Sequence, residues 1–270
     1  VINNSKPVSS DITDQVLKVI KETGYVPNPI ARSLVTKRSN IIGVIVPDIS
    51  SLYVGDLLNG IEEISRMYEY DVFLCNTYAE SEKELKYIKL LMSKSVAGIV
   101  FVSEKLEEPQ MKLIEESQIP SVYISKNAKD FDVYSIGIDH YQASYDITKY
   151  LIDKGKEKIA FLRASIEDNL EDSERYKGYK KALENSNIAL DKSLVLQGDS
   201  TDESGYRLVD MLIKNKNLPE AIFASSDELA IGALNALLDN KISVPNDVSV
   251  VGYDDTRIAS MIRPTLTTIK

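Results

Sequence analysis

After Asn40 the chain settles into one rhythm, a short apolar run followed by a stretch of helical spacing, repeated to its end. The runs are Ile41–Val46, Asp71–Asn76, Ala97–Val102, Ser121–Ile124, Ser135–Ile138, Lys158–Leu162, Ala221–Ala224 and Val248–Gly252. Continuous apolar strands have to be covered on both faces, and parallel sheets wrapped by their own crossover helices provide that cover. The intervening segments fit this role. Between Tyr53 and Met67, Leu57, Ile61 and Ile64 recur on one side while Glu62, Glu63 and Arg66 fall elsewhere, the pattern of a helix with a core stripe. An α/β protein is therefore expected. With 270 residues and 43% hydrophobic content, the chain is long enough for two such units. One set of strands runs to Ile138, and a second begins after Asp139-His140-Tyr141.

The first 40 residues read differently. Ser9, Ser10 and Asp11 offer caps for a helix from about Ile12 to Glu22, with Val16, Leu17 and Ile20 on one face and Gly24 as its stop. Asn28 can cap a second, very short helix, with Pro29 in its first turn and Ala31, Arg32, Ser33 and Leu34 following before Lys37 and Arg38. Two turns are not stable alone in water, so this helix needs a surface to fold against. Cations around one projecting Leu34 suit nucleic acid; the plainer alternative is a surface helix leading into the first strand. The charge distribution fits the first reading. The whole chain carries −9, yet residues 1–40 hold six Lys/Arg against three Asp/Glu, which leaves −12 on the other 230.

Several classes are excluded or unmotivated. A single Cys75 rules out an internal disulfide framework, and with one histidine, His140, it cannot build a zinc site of the usual Cys/His type, so no metal and no cofactor is expected. No apolar run approaches the roughly 20 residues of a membrane span. The opening V-I-N-N-S-K-P is not a basic-then-apolar leader, which makes the cytoplasm the expected compartment. The sequence has no G-x-G-x-x-G, no G-x-x-x-x-G-K-[ST] and no H-E-x-x-H. An enzyme is not expected.

Ligands of open α/β sheets bind at the carboxyl ends of strands, so the loops that follow the apolar runs carry the candidate chemistry. P-D-I-S-S-L-Y brings Ser50, Ser51 and Tyr53, suited to hydroxyl-rich ligands by hydrogen bonding and stacking. S-E-R-Y-K-G-Y carries Arg175 at the start of a helix, A-I-F-A-S-S-D-E carries Phe223, Ser226 and Asp227, and V-V-G-Y-D-D-T-R carries Asp254. Each has an ordinary structural alternative. Asp227 could cap the helix that follows it, Asp254 could pair with Arg257, Tyr53 could pack at a helix entry, and Arg175 could be a solvated charge.

The run P-N-P-I-A-R-S-L, followed by T-K-R-S-N-I-I-G-V-I-V-P-D, resembles the hinge and first core strand of the LacI/GalR family of bacterial transcription regulators, and the likeness extends along nearly the whole chain. It implies two Rossmann-like parallel-sheet subdomains of the periplasmic-binding-protein type, spanning 41–139 and 140–270, with crossings at Asp139 and at 264–267. Residues 1–40 would be the end of a helical DNA-binding headpiece. The family's helix-turn-helix would precede V-I-N-N-S-K-P, and its core would continue past L-T-T-I-K. By the same resemblance Asn28, Ala31, Arg32 and Leu34 bind operator DNA, with Leu34 as the apolar wedge between base steps of the minor groove. Tyr53, Arg175, Phe223 and Asp254, together with Ser51 and Ser226, would line a pocket for a sugar, sugar phosphate or nucleobase effector in a homodimer.

Residues 61–72 and 254–264 further resemble the catabolite-control branch of that family, whose corepressor is the serine-phosphorylated form of the phosphocarrier protein HPr. Tyr68 and Arg263 would then lie on the docking surface, Arg263 as phosphate partner. The alternative places Tyr68 on the core stripe and leaves Arg263 to steady a crossover. A sugar-binding protein of the transport type, with no DNA role, is the competing class. A Leu34-bearing hinge and the lack of an export signal favour the regulator.

Overall fold

Alternation along each apolar run decides which helix covers which face. We describe residues 1, 7–25, 39–102, 108–124, 134–163 and 170–270 from a computed structural model, residues 170–173 by backbone alone. In β1 (Ile41–Val46), Val44 and Val46 pack beneath α2 (Leu52–Met67), against Val54, Leu57 and Ile61. Ile45 points the other way, joining Ile88 and Leu91 of α3 (Ser81–Ser93) and Met111 and Ile114 of α4 (Glu108–Ser117). The same period of two splits the second unit. In β6 (Ile159–Arg163) and β8 (Ala221–Ala224), Ala160, Leu162, Ile222 and Ala224 meet α7 (Asp202–Lys214) and α8 (Asp227–Asp239). Ile159, Phe161, Ala221 and Phe223 meet α5 (His140–Asp153) and α6 (Leu170–Asn185). Burying each such side chain is worth about 1.5–3 kcal/mol relative to leaving it in water.

The two sheets repeat one plan. With β2 (Asp71–Asn76), β3 (Gly98–Phe101), β4 (Ser121–Ile124) and β5 (Tyr134–Ile136), the first has the order β2-β1-β3-β4-β5. With β7 (Val195–Gln197) and β9 (Ser249–Val251), the second has the order β7-β6-β8-β9. All these pairings are parallel. In both, the strand order reverses beside the first strand, the place where an open α/β sheet leaves a crevice for a ligand. α1 (Ser10–Thr23) precedes the sheets and buries none of its residues; Gly24 closes it at φ +63°, donating its N–H to the Ile20 carbonyl.

Several expectations need correction. β7 was not anticipated, because two half-buried residues and an exposed one give too short a pattern to read. β5 runs from Tyr134 to Ile136 and is exposed throughout, since it is the edge of its sheet and not a buried strand. Ile64 does not belong to the core stripe: it is 55% exposed, while Leu57 and Ile61 reach the core. Ser9 stands at the N-cap of α1, but its side chain makes no capping bond.

Close helix contact in the second unit rests on glycine. A Cβ on Gly232 of α8 would run into the Asp202 carbonyl of α7, and one on Gly205 of α7 would meet the Leu229 carbonyl. Both clashes are with backbone, which cannot swing aside as a side chain does. Gly232→Ala is expected to destabilise the protein by about 1–3 kcal/mol, read as a lowered midpoint in chemical denaturation. An unchanged midpoint would mean that the two helices separate at no cost.

Candidate functional site

The carboxyl ends of the two sheets face one another across a cleft of about 880 Å³. Asp48, Ser50, Ser51 and Tyr53, after β1, form one wall; Ser226 and Glu228, after β8, and Tyr253 and Asp254, after β9, form the other, with Arg175 of α6 beside them. Ser51, Tyr53, Arg175, Ser226 and Asp254, five of the six pocket residues expected from sequence, are therefore brought together. Phe223 is not. Alternation along β8 turns it away from the cleft, and it lies wholly buried with its ring 5.1 Å from that of Phe161.

Arg175 is held from several sides. Its Nη1 donates to the Ser225 carbonyl at 2.7 Å, its Nη2 lies 3.8 Å from Asp254 Oδ1, and its guanidinium carbon sits 3.9 Å from the centre of the Tyr253 ring. The two charged side chains are only 12% and 15% exposed. At such burial, pairing offsets a desolvation cost that neither charge could bear alone. Asp254 pairs with Arg175 and not only within its own loop. Its backbone has φ +109°, a conformation that a side-chain-bearing residue adopts only when its surroundings impose it. The imposing contacts include the Asp254 N–H to the Ile269 carbonyl and the Asp255 N–H to Thr268 Oγ1.

Two residues that the sequence reading did not assign to the pocket complete it. Tyr253, the platform under Arg175, is 1% exposed, and a 2.6 Å hydrogen bond joins its hydroxyl to Nδ1 of His140. His140 opens α5 directly after Asp139, whose side chain caps that helix by accepting from the Gln142 N–H. The first crossing between the units is thus tied to the pocket wall. A tyrosine beside two aspartates was visible in V-V-G-Y-D-D, but its histidine partner lies 113 residues away and left no local signal.

Asp227 does not cap α8. Ser226 does, accepting from the Leu229 N–H at 3.3 Å. Asp227 points inward, wholly buried, where its Oδ2 accepts from the N–H and the hydroxyl of Thr256 and its Oδ1 from the Thr268 hydroxyl. Burial raises its pKa and these three donors pull it back.

Tyr68 and Arg263 both lie at the surface. Tyr68 ends α2 and is 71% exposed, which removes the core-stripe alternative. Arg263 is exposed, with Nη1 donating to the carbonyls of Ser260, Met261 and Ile262. Asn28, Ala31, Arg32 and Leu34 lie outside the described residues. Among the described residues no helix is long and apolar enough to cross a membrane, and no group of His, Cys, Asp and Glu could hold a metal ion.

Comparison with known proteins agrees with this geometry. Residues 39–269 match the model for periplasmic binding proteins and the sugar binding domain of the LacI family. Catabolite control protein A of Priestia megaterium is 35% identical over 269 residues, covering 100% of this chain and 81% of that protein. The HTH-type transcriptional regulator RegA of Clostridium saccharobutylicum is 37% identical with the same coverage. The crystal structure of the transcription regulator CcpA of Lactococcus lactis superposes with a TM-score of 0.73 at 34% identity, covering 84% of this chain and 83% of that one. The chain belongs to the LacI family of transcriptional regulators.

Proposed function

We propose that this regulator senses an uncharged, hydroxyl-bearing small molecule in its cleft and relays occupancy to operator DNA through the hinge segment around Leu34. The observation that carries the reading is the buried Arg175–Asp254 pair at the cleft wall. A guanidinium and a carboxylate side by side offer donors and acceptors to neighbouring hydroxyls of one ligand, with Ser51 and Ser226 adding hydroxyls and Tyr53 a ring face. The field of the cleft selects against anions. Its described lining carries Asp48, Asp202, Glu203, Glu228 and Asp254 against Arg175 and Lys270. Of the sugar, sugar phosphate and nucleobase effectors expected from sequence, the phosphorylated class is disfavoured. A homodimer whose paired hinges enter the operator, with Asn28, Ala31, Arg32 and Leu34 at the DNA, completes the scheme.

Calorimetry with matched pairs of neutral sugars and their phosphomonoesters, and with nucleobases, tests the pocket. A neutral ligand should bind, and Arg175→Lys or Asp254→Asn should each weaken it at least about tenfold, or 1.4 kcal/mol. Asparagine tolerates positive φ, so the second variant leaves the loop intact. A ligand whose affinity ignores both substitutions would refute the assignment.

We further propose that serine-phosphorylated HPr docks on the outer face bearing Tyr68 and Arg263. The Arg257 N–H donates to Asp56 on α2, which sets the 257–263 segment beside that helix. Tyr68, twelve residues further along, is then about 18 Å away, within the footprint of one small protein. Ile64, Met67 and Met261 are exposed apolar residues flanking these positions. A charge-assisted contact to phosphoserine is worth about 1.5–3 kcal/mol, so Arg263→Ala should lower affinity for phosphorylated HPr roughly ten- to a hundredfold. Equal binding of the phosphorylated and unphosphorylated forms by the unaltered protein would exclude this partner.

A further inference from the structure

The first backbone N–H groups of a helix have no partner within it, and a side chain at the N-cap normally supplies one. At the start of α2 that partner is missing locally, because Ser51 stands at the N-cap without a side-chain capping bond. The Leu52 N–H donates instead to Glu228 Oε1 at 3.2 Å, a carboxylate 176 residues away in the other subdomain. The converse arrangement lies one turn further on. Thr256, the N-cap of the 3-10 turn Arg257–Ser260, makes no side-chain capping bond of its own, and its hydroxyl donates to Asp227. The Arg257 N–H donates across the gap to Asp56 Oδ2 at 3.4 Å. Leu52 and Asp56 are four residues apart and share a face of α2, so both bonds cross the same seam.

We infer that Glu228 and Asp56 form a reciprocal latch across the cleft, each carboxylate capping the start of a helical segment in the opposite subdomain, and that this latch sets the closed angle.

The seam is a single joint. Asp227 and Glu228 are consecutive at the start of α8. The first turns inward and fixes Thr256, and with it the position of the Arg257 N–H; the second reaches outward to Leu52. A rigid core contact therefore presents both halves of the latch together. The Glu228 bond also places a carboxylate at the positive end of α2, the favourable pole. The latch is nevertheless easy to open. Burial raises the Glu228 pKa, as do Asp202, Asp227 and Asp48 nearby, and only the bond from Leu52 opposes them. A latch of two single hydrogen bonds is one that a ligand's differential affinity for the open and closed forms can tip. Glu228 is the stronger half. Its bond is shorter and its side chain half-buried, whereas Asp56 is exposed and accepts at longer range.

Spin labels at Lys86→Cys on α3 and Lys180→Cys on α6, both exposed and one in each subdomain, report the angle as a distance distribution by pulsed electron resonance; Cys75 is buried. The measurement needs neither ligand nor DNA, so its outcome is independent of the effector assignment. In the unliganded protein Glu228→Ala should lower the closed-to-open ratio about tenfold, the loss of one good cap, and Asp56→Ala should lower it less. Glu228→Gln keeps an acceptor oxygen and should restore part of the closed population. Asp56→Ala, an exposed helix position where alanine is well tolerated, keeps the test open even if Glu228→Ala disturbs folding. Unchanged distributions in Glu228→Ala and Asp56→Ala would overturn the latch, as would a Glu228→Gln variant as open as Glu228→Ala.

Discussion

The geometry of the cleft depends on one buried carboxylate. Asp227 has no contact with solvent, and its two oxygens gather three donors from segments 29 and 41 residues further along the chain. Those bonds help to fix the loop after β9 and the tail at 264–270, together with the bridge between Val251 and Thr267, the Gly252 and Asp254 N–H bonds to the Thr267 and Ile269 carbonyls, and the packing of Leu266 and Ile269 on the core. Removing the carboxylate would leave buried donors without an acceptor, a cost on the order of 1–3 kcal/mol for each group. The segment that bears Tyr253 and Asp254 is tied to that anchor. Asp254 holds its strained backbone because the tail is pinned, Arg175 is aimed because Asp254 and Tyr253 are in place, and Glu228 reaches across because Asp227 fixes the turn beside it.

How much of this was legible beforehand follows from the range of each interaction. β1 and β8 ran as read because a buried parallel strand announces itself in consecutive residues, and β2 and β4, though less covered, kept apolar runs long enough to bound. β7 was missed and β5 misjudged for the same reason in reverse: an edge position shortens or solvates a strand, and edge status is a property of the sheet, not of the segment. Arg175 and Asp254 were chosen from separate loops and do meet. Phe223 was chosen from the right loop, but strand alternation points it into the core. Ser226 took the capping role considered for Asp227 while still lining the cleft, since a serine and an aspartate both cap helices and the presence of Thr256 and Thr268 turns the aspartate inward. The His140–Tyr253 bond and the Glu228–Leu52 contact span more than a hundred residues each, and single-sequence periodicity carries no trace of such pairs.

Together these contacts describe a mechanism in which small forces act on a hinged pair of rigid bodies. Each subdomain is closed by apolar packing on both faces of its sheet and does not deform easily. Freedom is left at the seam, where two backbone N–H groups meet two carboxylates from opposite sides, while the crossing beside His140 is tied to Tyr253 of the pocket wall. A ligand lodged against Arg175 and Asp254 lies next to both, so it can bias the angle through contacts that differ between the open and closed forms. An outer-surface partner near Tyr68 and Arg263 would bias the same angle from outside, since α2 belongs to one subdomain and the 257–263 segment to the other.

If the angle is the shared variable, cleft and operator must report on each other equally. The direct test is to measure by calorimetry the affinity of a cleft ligand for the full regulator with and without saturating operator DNA at fixed salt, and separately the operator affinity with and without ligand. Linkage requires both ratios to be the same number, expected to be about five- to a hundredfold for a coupling of 1–3 kcal/mol. A ligand that occupies the cleft with an affinity indifferent to operator would contradict the account.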